Sequence, residues 1–96
     1  MKRKNILIEK YIEPSEVIIN RNYVTERWLD KYGDKHSFMG HPSEVWSEDG
    51  QVTGMRWHKK NKTHRDRSLP AEIFYANEKI TSQWFFKKGQ LINSIY

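Results

Sequence analysis

Short apolar runs alternate with turn formers along the whole chain. "EVIIN", "EVWSE" and "EIFYA" begin at Glu16, Glu44 and Glu72. Each is followed by Gly, Asn, Asp or Glu and then by a second run opening on a β-branched pair: Val24-Thr25, Val52-Thr53 and Ile80-Thr81. Runs of this length rich in Val, Ile and aromatics and bounded by turn residues are strand signals. Asp49-Gly50 between two of them is a strong signal for a two-residue hairpin. No segment carries an i, i+3, i+4, i+7 apolar stripe. Residues 24–32 suit a helix in isolation, but their counterparts at 52 and 80 have strand character, so strand is expected there too.

The pattern recurs at a fixed interval. Pro14, Pro42 and Pro70 are 28 residues apart, and each precedes Ser or Ala, then Glu, then Val or Ile. Asn5, Gly33, Asn61 and Gly89 keep the same interval, as do His36 and His64. Several columns in one register indicate an internal repeat. A lone hairpin is marginal in water, and stacked hairpins share a core. The expected fold is therefore all-β: a single domain over residues 1–96 with a curled antiparallel meander of six to eight strands. Its hairpin units, each of about 28 residues, cover 14–41, 42–69 and 70–96, after an N-terminal strand or cap at 1–13. Trp28, Trp57 and Trp84 are expected at related buried places. Alternation from 80 to 86 sets Ile80, Ser82, Trp84 and Phe86 on one face, and both faces of the sheet carry large apolar groups. Either the sheet curls or a partner covers one face. The edge strands, near 4–10 and 84–95, are where copies would pair.

Composition narrows the function. The chain has 13 aromatic residues and no cysteine, which excludes disulfides and thiolate metal sites. No apolar run is long enough for a membrane span, and the start lacks a signal-peptide pattern, so a cytoplasmic protein with no membrane partner is expected. The net charge of +5 is local. Residues 56–67, "RWHKKNKTHRDR", hold six bases against Asp66, and the other 11 bases and 11 acids cancel.

The stretches "WHKKNKTHRDRSLPAEIFY" (57–75), "WLDKYGDKHSFMGHPSEVW" (28–46) and "WFFKKGQL" (84–91) resemble the MORN-variant, or YwqK-antitoxin-like, hairpin repeats. Here Asn61 stands for the turn Gly and Leu69 for the Gly before Pro. The resemblance implies a β-meander or β-solenoid of hairpins and does not imply an enzyme. Variants of this kind look common in phages and large DNA viruses, and the Lys-, Asn- and Ile-rich composition suits an AT-rich genome of that sort.

Candidate chemistry is sparse. His36, His41, His58 and His64 lack cysteine help and metal-ligand spacing, so no metal is expected, and the His36/His64 column suits a structural role after the turn. "HRD" at 64–66 stands without the other kinase motifs. Glu16, Glu44 and Glu72 recur every second strand, about 10 Å apart, which suits a ladder with Lys or Arg better than a catalytic pair. No catalytic residue and no cofactor is expected. The expected partner-binding residues are Arg56, Trp57, His58, Lys59, Lys60, Lys62, Arg65 and Arg67. They suit an acidic protein surface, or phosphates with Trp57 as a stacking platform, or mere solubility. The leading expectation is a non-catalytic protein-binding module, a small phage protein that modulates a host protein or defence complex. The alternatives are a nucleic-acid-binding accessory protein and a self-assembling structural protein.

Overall fold

A computed structural model describes residues 13–38 and 40–96. The segments 1–12, with the expected edge strand at 4–10, lie outside the described residues. Nine strands follow one another: β1 (Glu16–Asn20), β2 (Tyr23–Arg27), β3 (Glu44–Glu48), β4 (Gln51–Arg56), β5 (His58–Lys59), β6 (Lys62–Thr63), β7 (Glu72–Ala76), β8 (Lys79–Lys87) and β9 (Gln90–Ile95). Seven form one antiparallel sheet in the order β1-β2-β3-β4-β7-β8-β9, and β5-β6 pair separately. The all-β meander expected from the alternation is thus observed, and no helix occurs among the described residues. Residues 24–32 are strand β2 and then a turn closed by a bridge between Leu29 and Lys35.

The turn chemistry follows the sequence. Asp49 and Gly50 both adopt positive φ (54° and 81°), the mirror-image turn that matches strand twist. Gly54 is needed for another reason. Trp46 and Phe74 stack with parallel rings 6.0 Å apart, and a methyl group on Gly54 would lie 2.6 Å from Trp46 Cε3 and 3.1 Å from Phe74 Cδ1. The strand between two large rings has room for hydrogen only.

One column of side chains crosses the sheet: Glu16, Arg27, Glu44, Arg56, Glu72, Trp84 and Ser94 are successive cross-strand partners. Alternating charge makes it an ion ladder. Arg27 bonds Glu16 at 3.2 Å and Glu44 at 2.8 Å. Arg56 lies 3.9 Å from Glu44 and bonds Glu72. Glu44, only 3 % exposed, is flanked by both arginines. Flanking carboxylates hold the Arg27 guanidinium above its usual range, the Glu44 hydrogen bond foremost, against the opposing effect of burial. The expected Glu ladder is present, and it explains why acids recur every second strand: like charges placed on adjacent strands would repel.

The tryptophans correct the expectation. Backbone N–H groups of Ser15, Ser43 and Ala71 donate to the carbonyls of Arg27, Arg56 and Trp84, so those three positions are equivalent. Trp28 and Trp57 come one residue later, and their N–H groups donate to Ser43 and Ala71. They are 2 % and 5 % exposed. The residue at that place in the last hairpin is Phe85, and Trp84 occupies the end of the ion ladder, half-buried. The cause is a bulge. Trp46 faces Gly54 while Ser47 faces Val52, which leaves Thr53 extra, and Thr81 is extra in the same way. The first hairpin has no such shift. The bulge also divides the expected face of β8, since Ile80 opposes Tyr75 whereas Ser82 opposes Phe74, and a second shift separates Phe85 from Phe86.

Candidate functional site

After β2 and after β4 the chain makes a further turn outside the main sheet, at 28–36 and 57–64, and the β8–β9 hairpin end at 85–91 takes the corresponding place in the third unit. These three tips are joined to one another by main-chain bonds. Asn61 N–H donates to Lys35 O, and Gly89 N–H donates to Thr63 O, both at 2.9 Å. The histidine column completes the joint. His36 Nδ1 accepts from Lys60 N–H at 3.2 Å and His64 Nδ1 accepts from Lys88 N–H at 3.0 Å. Each histidine thus pins the turn of the tip that follows, 24 residues on, which is the structural role its register suggests.

Local chemistry shapes each tip. In the first, Asp30 Oδ1 accepts the N–H groups of Tyr32 and Asp34, an Asx-type closure of the loop. Lys60 and Asn61 both take positive φ, 50° and 70°. Asn61 replaces the expected Gly because its side chain is used: Oδ1 accepts Lys35 N–H at 2.8 Å and Nδ2 donates to Asp34 Oδ1 at 2.9 Å. The acids of the first tip are therefore engaged in internal bonds. The lysines of the tips are not: Lys31, Lys59, Lys60, Lys62, Lys87 and Lys88 are exposed, and Lys35 is half-buried.

The eight residues expected to bind a partner divide. Lys59, Lys60, Lys62 and Arg67 are exposed, as a binding surface requires. Arg56 belongs to the ion ladder. Trp57 is in the core, its Nε1–H donating to Gly40 O at 2.9 Å. The expected stacking platform is therefore not open, because the ring is buried and Arg65 covers it with its guanidinium carbon 3.9 Å from the ring centre. His58 is 3 % exposed. Ser43 Oγ–H donates to Arg56 O at 3.0 Å, which leaves its lone pair to accept Nδ1–H of His58 at 2.6 Å. Burial, aided by the charges of Lys35 and Arg56 against that of Glu44, lowers the His58 pKa to about 4, so the ring is neutral near pH 7.

Conversely, Lys31, Lys35, Lys87 and Lys88 lie on tips bonded to the 57–64 tip although they are remote from it in sequence. The interval of 28 carried the signal: Lys31, Lys59 and Lys87 form one column, and Lys60 and Lys88 another.

A groove of about 430 Å³ opens beside the tips. Trp57, Lys59, His64, Arg65, Arg67 and Leu69 are among its lining residues. His64 Nε2–H donates to Asp66 Oδ1 at 2.7 Å, which holds the Asp66 carboxyl below its usual range, with smaller help from Lys59 and Arg67. Both nitrogens of His64 are thereby committed. Among the described residues no group of His, Asp and Glu has the makings of a metal site. Compared with models of protein families, with curated proteins and with solved structures, the chain matches none.

Proposed function

We infer that the protein is a non-catalytic binding module whose three joined tips dock an acidic surface of a protein partner. The observation that carries this reading is the row of lysines on tips fixed to one another by main-chain bonds: Lys31 and Lys35, then Lys59, Lys60 and Lys62, then Lys87 and Lys88. Successive tips lie about two strand spacings, or about 10 Å, apart. Charges held at that interval on a rigid frame favour a partner with carboxylates at matching places, and steer it on approach. Tyr32, 76 % exposed with Lys31 Nζ 5.2 Å from its ring, supplies an aromatic anchor of the kind protein interfaces use. The burial of Trp57 weighs against base stacking in the same region. The resemblance to hairpin-repeat proteins of phages supports a host protein as the partner to seek first, and membership of that repeat family is part of the proposal.

The test compares the native protein with a Lys59→Glu, Lys60→Glu, Lys62→Glu variant. The variant should fold normally, since these side chains are exposed. The native protein should retain one defined host protein, and the variant should lose it. Labelled single- and double-stranded oligonucleotides at about 50 and 200 mM salt form the second arm, because phosphate-bound proteins lose several decades of affinity across that range. Tight oligonucleotide binding with a steep salt slope would replace the protein reading with the nucleic-acid one.

A further inference from the structure

We propose that the groove between Trp57 and the 64–69 loop is a binding site for a phosphate monoester, with Arg65 as its central donor and Lys59 and Arg67 at its sides. Arg65 is the starting point. It is half-buried, and burial lowers its pKa, with only a smaller opposing effect of Tyr75. Yet no carboxylate pairs with it among the described residues: its contacts are the Trp57 ring at 3.9 Å and the Pro70 carbonyl, which accepts from Nη1 at 3.1 Å. A guanidinium withdrawn from water without a counter-ion is costly. Its contact with Trp57, itself anchored through Nε1 to Gly40 O, and its bond to Pro70 hold it in place. One donor of five goes to Pro70, and the rest of the fork is held in position for an oxyanion.

The surroundings set the charge of the ligand. Lys59, Arg65 and Arg67 all border the groove, and Asp66, the one acid among its described lining residues, is held by His64. The local balance of +2 matches a doubly charged phosphate monoester better than a singly charged carboxylate. Arg67 and Ser68 both adopt positive φ, 66° and 58°, in the loop that forms the groove wall. At about 430 Å³ the groove has room for more than the phosphate, and the exposed Leu69 side chain offers apolar contact to the group that carries it.

Lys59 is shared with the docking tips, but Lys60 and Lys62 are not among the groove's lining residues, so their variants separate the two sites. The probe is phenyl phosphate, with inorganic phosphate to measure the anion alone and benzoate as the singly charged control, each titrated against the full chain by tryptophan fluorescence. Saturable phenyl phosphate binding is expected, at least ten-fold tighter than benzoate. Arg65→Lys keeps the charge but loses the flat fork and should weaken binding more than ten-fold. Lys59→Gln and Arg67→Gln replace exposed side chains in a fold that does not depend on them, and each should weaken it about five-fold. Lys60→Gln with Lys62→Gln should leave phenyl phosphate bound while reducing partner docking. Absence of saturable binding, benzoate binding as tight as phenyl phosphate, or equal loss from the Lys60/Lys62 variant would overturn the assignment.

Discussion

His58 shows how a single residue couples the fold to pH. Its ring lies against Ser43 and is neutral in the folded protein, with its pKa lowered to about 4 from 6.5. As pH falls below about 6.5 the unfolded chain takes up a proton that the folded one refuses until about pH 4. The stabilising effect of a neutral His58 is therefore whole above pH 6.5 and is lost progressively between 6.5 and 4, by about 3 kcal/mol in all. Urea midpoints at pH 7 and pH 4.5 should differ accordingly, and His58→Gln should flatten the difference. An equal drop in the variant would assign the acid sensitivity to other groups. In sequence His58 sits inside a basic run and reads as surface. Its burial depends on Ser43, 15 residues away, being brought under it by the preceding hairpin, and no local pattern announces that.

At the scale of elements, the ion ladder makes the hairpins unequal. Glu44 is buried between Arg27 and Arg56, whereas Glu16 stands at one end with its side chain 46 % exposed. Removing one member of a buried pair leaves an uncompensated charge, while a solvated pair contributes little. Glu44→Ala should cost about 3 kcal/mol and Glu16→Ala under about 1 kcal/mol, read from chemical denaturation. Similar costs for the two would mean that the ladder is not the source of stability. The glutamate column, the hairpin turns and the strand type were legible in the sequence because each rests on local spacing. The tryptophan column was not. Trp84 follows Pro70 at the same distance as Trp28 follows Pro14, but the bulge at Thr81 consumes one residue and moves Phe85 into the equivalent place. A bulge changes which face a residue meets without leaving a composition mark. The same one-residue effect hides the ladder position of Arg56, which the sequence assigns to the binding cluster.

For the whole molecule, strand β9 forms one edge of the described sheet. Strand β9 and the residue after it, "QLINSIY", carry no charged side chain, and Leu91, Ile92, Ile95 and Tyr96 are 47–81 % exposed. Such an edge lacks the lysine or proline that ordinarily discourages pairing, and its guard is the register shift opposite Phe85 and Phe86, which leaves Ile92 as an extra residue in the strand. Self-association through β9 is the expected outcome at high concentration. Light scattering after size exclusion checks it, and Ile92→Lys should shift the distribution toward monomer. A native chain that stays monomeric at every concentration would rule this edge out as a contact.

The order of the strands has a further consequence, in time rather than in space. Every strand of the main sheet pairs with the next sheet strand along the chain, so opening can begin at an end and proceed inward without breaking distant contacts. The buried positions gather in the middle, at Glu44 and Val45 of β3, Gly54 of β4 and Glu72 and Ile73 of β7, while β1 is exposed throughout and β9 nearly so. Amide exchange should therefore be graded. Backbone protons of β3, β4 and β7 should exchange only on global unfolding, and those of β1 and β9 should exchange through local fraying at far lower free energy. Residue-resolved exchange by nuclear magnetic resonance reads this directly. Uniform protection across the seven strands would mean that the sheet opens as one unit.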